Sequence, residues 1–189
     1  MKQNLGPKAA IFPMPVLMIG TYDENGKVDV MNAAWGMECG SNMLALCLTS
    51  THKTSKNLRV SKACTVALAD LPHMKEADFF GIASGNTMED KFERTGLTAV
   101  KSERVNAPVI EEFPLTMECE LVKEVDDESG LHVFVVRVVN TLAEDRILKE
   151  DGKVCPHRLN ALIFNEFRAK YFVLGEKVGD AWGAGKELL

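Results

Sequence analysis

The sequence predicts a mostly β protein, an antiparallel barrel with inserted helices. Three observations carry that expectation. Apolar runs of strand length recur along the chain, two polar turns are placed to join such runs as hairpins, and strands do not alternate with long helices as they do in parallel sheets. Parallel-sheet nucleotide folds are therefore disfavoured.

Residues 16–21 form a short apolar run that ends in Asp23-Glu24-Asn25-Gly26-Lys27, where the Asn-Gly pair readily takes the positive φ of a tight hairpin. Residues 28–34 are the returning strand. Residues 43–48 and 64–69 have the length and apolar content of buried strands, and 54–62 between them suits a two-turn helix with Leu58 inward. Residues 72–80 and 87–93 read as short helices, the second opening on a capping-box pattern, Thr87-x-x-Asp90, with Gly96 placed to end it. Residues 115–125 and 131–142 are long β runs joined by the second polar turn, 126–130, and a third β run falls within 162–174.

The chain has 189 residues, 46% hydrophobic and 26% charged, enough for a sizeable core and consistent with one domain spanning 1–189. A net charge of −5 argues against a whole-surface affinity for nucleic acid or anionic lipid. Cys39, Cys47, Cys64, Cys119 and Cys155 include no C-x-x-C pair, so neither a disulfide framework nor a zinc site is indicated. The histidines lack metal-ligand spacing, so no metal is expected. Residues 9–20 are apolar but interrupted by Pro13 and Pro15 and shorter than the ~18 residues of a membrane span. The expected location is the cytoplasm, with no membrane partner.

From Cys39 to Ala69 no acidic residue occurs, and Lys53, Lys56, Arg59 and Lys62 give the segment a charge of +4, leaving −9 for the rest. Within it, Thr49-Ser50-Thr51-His52-Lys53-Thr54-Ser55 leaves a strand and opens a helix, gathering hydroxyls, a lysine and helix N-terminal N–H groups, the donors a phosphate needs. On composition alone a solvated Ser/Thr-rich turn is the favoured reading, and only the family resemblance given below reverses it. No Gly-x-x-x-x-Gly-Lys-Ser/Thr loop is present, and Gly183-Ala184-Gly185 leaves no room for a βαβ unit, so ATP-type and Rossmann binding are disfavoured. Asn32-Ala33-Ala34-Trp35-Gly36 offers small residues at a strand end where a planar ligand can approach, although Trp35 taken alone is read as a core anchor first. Ser84-Gly85 and Lys91 supply a further loop and a second lysine. The cysteines nearest these segments read as buried thiols, so any chemistry falls to a bound cofactor.

In this order, these segments resemble the flavoredoxin branch of the flavin reductase-like, FMN-binding split-barrel family. The resemblance runs through Pro15 to Thr21, Asn25-Gly26-Lys27, Val30 to Trp35 and His52-Lys53-Thr54-Ser55-Lys56-Asn57-Leu58. It continues through Asp78-Phe79-Phe80-Gly81, Ser84-Gly85, Asp90 to Leu97, Glu118-Cys119, His132 and Tyr171 to Gly175. It implies a six-stranded antiparallel split barrel, a homodimer, and one FMN per subunit near the dimer interface. It also assigns Met31, Asn32, Ala33, Ala34 and Trp35 to the isoalloxazine side, and Thr49, Ser50, His52, Lys53 and Thr54 to the phosphate and ribityl chain, with Ser84 and Lys91 as further contacts. Gly40-Ser41-Asn42 stands where many relatives have a proline-rich turn.

The implied function is an FMN-dependent oxidoreductase of flavin reductase or flavoredoxin type, taking electrons from NAD(P)H or a redox protein. Two alternatives remain at the level of sequence: a non-catalytic FMN electron carrier, and a split barrel holding another phosphorylated or tetrapyrrole ligand. An absorption spectrum separates the last from the flavoproteins, and NAD(P)H oxidation separates reductase from carrier.

Overall fold

The computed structural model describes residues 1–128 and 132–189. Its main feature is a seven-stranded antiparallel sheet built from β2 (Leu17–Tyr22), β3 (Val28–Ala33), β4 (Gly36–Gly40), β5 (Met43–Cys47), β6 (Ala63–Leu68), β9 (Leu115–Asp126) and β10 (His132–Ala143). The strands lie in the order β3-β2-β6-β9-β10-β5-β4. β3 and β4 stand at opposite ends of that order yet are consecutive in the chain, linked by Ala34 and Trp35, so the sheet curls round without a hydrogen-bonded seam. The antiparallel split-barrel class holds, with seven strands in place of the expected six. The extra strand is β4, whose two glycines and mostly exposed residues give no apolar alternation to read.

Side chains alternate between two apolar regions. Leu17, Ile19, Ala33, Leu46, Val66, Cys119, Phe134 and Val136 fill the barrel interior. Val16, Met18, Val30 and Ala67, from the other face of the same strands, pack with Phe80, Phe92, Ile110, Phe113 and Leu162 outside it. Burial on both faces explains why β2 and β6 read as continuous apolar runs.

α1 (Lys53–Ser61) lies against β2, with Leu58 fully buried as expected and Asn57 Nδ2 donating to Thr21 Oγ1 at 3.0 Å. α2 (Met74–Ile82), preceded by a 3-10 turn over Leu71–His73, buries Ala77 and Phe80. The expected helix over 87–93 does not form. That segment is a series of turns leading into a 3-10 turn at Glu93–Thr95, which Gly96 ends at φ +69°. Thr87 Oγ1 donates back to Ser84 O at 3.3 Å, so the capping-box pattern is satisfied by a local turn instead.

The remaining strands are short. β1 (Met14–Pro15), β11 (Ile163–Asn165) and β12 (Lys170–Phe172) make a second sheet, and β7 (Ala99–Lys101) pairs with β8 (Pro108–Ile110). The single β run expected within 162–174 is thus two strands, broken by a turn that contains Glu166 and Arg168. α3 (Pro156–Leu159) is a single turn. The hairpin turn expected at 126–130 lies in part, at residues 129 and 130, outside the described residues. Among the described residues no helix is long and apolar enough to cross a membrane.

Candidate functional site

The N-terminus of α1, the middle of β3 and the chain leaving α2 converge on a cleft of about 160 Å³. Seven of the twelve candidate site residues line it: Met31, Asn32, His52, Lys53, Thr54, Ser84 and Lys91. They come from four separate stretches of sequence. Folding therefore makes one site out of motifs that singly had ordinary explanations.

The geometry of α1 dictates the donor set. His52 occupies the N-cap with extended backbone, no side chain caps the helix, and no acidic residue lies in its first turn. Helix geometry denies the N–H groups of the first turn an intrahelical acceptor, so they face the cleft with a partial positive charge of about half a unit. Burial holds the His52 imidazole below its ordinary value of 6.5, and the positive charge of Lys91 adds to that. Its Nδ1 is buried with no hydrogen-bond partner, one of two such side-chain atoms among the described residues. A buried polar atom without a partner is costly unless a ligand supplies one.

Asp29 is the residue that sequence reasoning missed. It sits on β3, 5% exposed, accepts a hydrogen bond from Thr54 Oγ1 at 2.7 Å, and lies 3.8 Å from Lys91 Nζ. Lys91 is equally buried, with its ammonium 5.7 Å from the centre of the Phe80 ring. Desolvation lowers the Lys91 pKa, and Asp29 partly restores it. Gly85 packs against Asp29 and the Lys53 stem so closely that an added Cβ would lie 2.3 Å from Asp29 Oδ1 and 3.2 Å from Lys53 Cγ. The available signal was a lone carboxylate between Val28 and Val30, in a strand whose other polar residue is Asn32. The acid-free stretch is also less free than its composition suggests, because the hairpin returns Asp23 to within 3.2 Å of Lys53 Nζ.

The other five candidates stand elsewhere. Ala33 and Ala34 are buried, Ala33 within the barrel interior. Trp35 is 52% exposed, neither a core anchor nor a lining residue of the cleft, with its ring 6.3 Å from that of Phe164. Thr49 and Ser50 contribute backbone: Thr49 O accepts from Ser55 Oγ at 2.8 Å, and Ser50 O from Arg59 Nη1 at 2.9 Å. On the α2 side, Asn32 Nδ2 donates to Ala77 O at 2.8 Å, and Tyr171 Oη donates to Asp78 Oδ1 at 2.9 Å. Burial, with the hydrogen bond that the phenol donates to Asp78, pushes Tyr171 up to about 12.

Away from the cleft, Glu124, Asp126 and His132 bring potential ligand atoms within 4.8 Å of one another. Arg59 Nη2 donates into the same Glu124 oxygen at 2.6 Å, so the group is an ion-pair network with its own cation.

Residues 9–165 match the flavin reductase-like domain. Flavoredoxin of Desulfovibrio vulgaris (Miyazaki F) is 30% identical, superposes with a TM-score of 0.92, and the match covers 98% of this chain and 100% of that one. A flavoredoxin from Methanosarcina acetivorans, 23% identical over 100% of both chains, shares the fold with a TM-score of 0.90. By sequence, the chain is 23% identical to the protein YdfE of Bacillus subtilis (strain 168), over 94% of this chain and 91% of that one.

Proposed function

The chain belongs to the flavin reductase-like family, and from that premise we propose that it is an FMN-dependent oxidoreductase of flavoredoxin or flavin reductase type. It passes electrons from a nicotinamide or a redox protein through FMN to an acceptor, and works as a homodimer in which the whole chain serves as one FMN-binding domain. One observation carries this reading: a cleft at an uncapped helix N-terminus joins two lysines, two hydroxyls and an orphaned imidazole nitrogen.

That donor set fits a phosphomonoester, which carries about −1.5 to −2 charges at neutral pH. The first-turn N–H groups of α1, with Lys53, Lys91 and His52, would hold the phosphate, while Met31 and Asn32 on β3 would meet the part of the cofactor that extends from it. Asp29 keeps Lys91 charged and aimed, at the cost of one negative charge in the wall. When bound, FMN supplies the hydride and electron chemistry, so no acid or base among the side chains is needed.

The test is spectroscopic. The protein purifies yellow or takes up FMN in preference to riboflavin, and anaerobic stopped-flow mixing with millimolar NADH or NADPH bleaches the flavin band. Equal affinity for riboflavin and FMN removes the phosphate site from the reading. Bleaching by dithionite but by neither nicotinamide hands the assignment to an electron carrier.

A further inference from the structure

Two further clefts, of about 420 and 270 Å³, share no lining residue with the flavin cleft. They have Val100, Val109 and Leu142 in common, so they run together as one groove between the β7–β8 hairpin and the paired start of β9 and end of β10. The larger alone falls within the range of small-ligand sites, about 300–1,000 Å³.

The larger cleft is lined by Glu118, which is 1% exposed. Ser102 Oγ accepts the backbone N–H groups of Arg104 and Val105 at 3.0 and 2.9 Å, so its own proton goes to Glu118 Oε1. Asn140 Nδ2 donates to Glu118 Oε2 at 2.5 Å. Both donors are neutral, and among the described residues no basic side chain pairs with this carboxylate. Lys101 and Arg104 also line the cleft, but they are exposed and make no ion pair with Glu118. A buried carboxylate is costly unless a cation meets it.

Thr116 stands two residues away on the same face of β9, about 7 Å by strand geometry. It lines the smaller cleft, and its Oγ1 is buried without a hydrogen-bond partner, the other such side-chain atom besides His52 Nδ1. Between these two polar points the shared wall is apolar, and Ile110, Phe113 and Pro114 continue it. Glu103, Glu111 and Glu144 complete the lining, so carboxylates outnumber the two cations along the groove. An anion is disfavoured here, and a cation with an apolar body matches both the charge and the walls.

We propose that this groove binds a small organic amine. Its ammonium group pairs with Glu118, its apolar or aromatic body lies on Val100, Val109 and Leu142, and Thr116 is left to meet a polar group at the far end. The site stands apart from the FMN reading and does not depend on it.

The probe is 2-phenylethylamine, titrated by calorimetry into the FMN-loaded protein at neutral pH, with 3-phenylpropionate as an anion of similar shape. The amine is expected to bind and the acid is not. Glu118→Gln weakens the amine by about tenfold or more while the flavin spectrum is unchanged. Because Glu118 also anchors the Ser102 turn, Leu142→Trp supplies a second variant. Position 142 is 40% exposed, so the larger side chain blocks the groove and leaves the hydrogen bonds of the carboxylate intact. It should weaken the amine to a similar extent. No amine binding to the wild type, equal binding of amine and acid, or unchanged amine affinity in either folded variant overturns the proposal. The same titration on protein that has taken up no FMN reads the groove alone, so failure of the flavin assignment is told apart from failure of this one.

Discussion

The two ends of α1 hold charges in opposite ways. In its second half, Arg59 donates to both oxygens of Glu124 at 2.6–3.1 Å and to Ser50 O at 2.9 Å, and its guanidinium stands over the Phe134 ring at 5.5 Å. His132 bridges the same Glu124 to Asp126. That end is saturated: hydrogen bonding to Glu124 raises the Arg59 pKa, and Arg59 lowers that of Glu124. At the other end, the helix cap lacks a side-chain partner, His52 Nδ1 has none, and Lys91 meets Asp29 only at 3.8 Å. A charge satisfied by its own protein is structural. A donor set left short of acceptors is disposed toward a ligand.

Lys91→Met should break the contrast most severely. It strands a buried carboxylate, at a cost of about 3 kcal/mol in stability, and lowers FMN affinity by roughly 10- to 150-fold. Adding Asp29→Asn should restore most of the stability in urea denaturation but not the affinity in a fluorescence titration. Recovery of both would make the pair purely structural.

Lys53→Ala should have a smaller effect, because its ammonium already serves Asp23. About a tenfold loss for FMN with little change for riboflavin is expected, and Lys56→Ala should lose much less. Equal losses at both lysines would replace a directed site with a diffuse positive field.

Arg59→Ala tests the saturated end. The partners are partly exposed, so about 1–2 kcal/mol of stability should be lost, while the preference for FMN over riboflavin is unchanged. A shift in that preference would mean that the two ends are coupled.

The subtlest test is the His52 imidazole, followed by NMR against pH. Its folded value lies below 6.5, so the folded apoprotein binds fewer protons there than the unfolded chain does. Its contribution therefore makes apoprotein stability fall as pH drops below about 6.5. FMN should move the midpoint upward, because a phosphate favours the charged ring. An unmoved midpoint would detach His52 from the phosphate.

Much of this was legible in the sequence because burial leaves a pattern. β2, β5, β6 and the long β9 and β10 announce themselves by apolar content, and α1 by Leu58 and the strands that flank it. β4 is an edge strand with glycine at each end and exposed positions, and such strands have no core-facing stripe to read. The helix expected over 87–93 shows the reverse error: a local motif was present, but only Met88 offers an apolar anchor before Phe92, so no helical face forms. For the site, polar donors on loops were readable by type. Asp29 was not, because its role depends on Thr54 and Lys91, 25 and 62 positions away, and pairings over that distance are made by topology.

The unladdered seam between β3 and β4 has a mechanical consequence. Within the sheet β3 has a hydrogen-bonded neighbour on one side only, β2, and it is the strand that carries Asp29, Met31 and Asn32. The cleft wall is therefore held along one edge by the ladder to β2 and otherwise by side chains: Asn32 on Ala77 O, Asp29 on Thr54 Oγ1, and Val30 packed with Phe80. Such a wall is set by a few side-chain contacts as well as by the sheet, so their loss would move it without unpairing a strand.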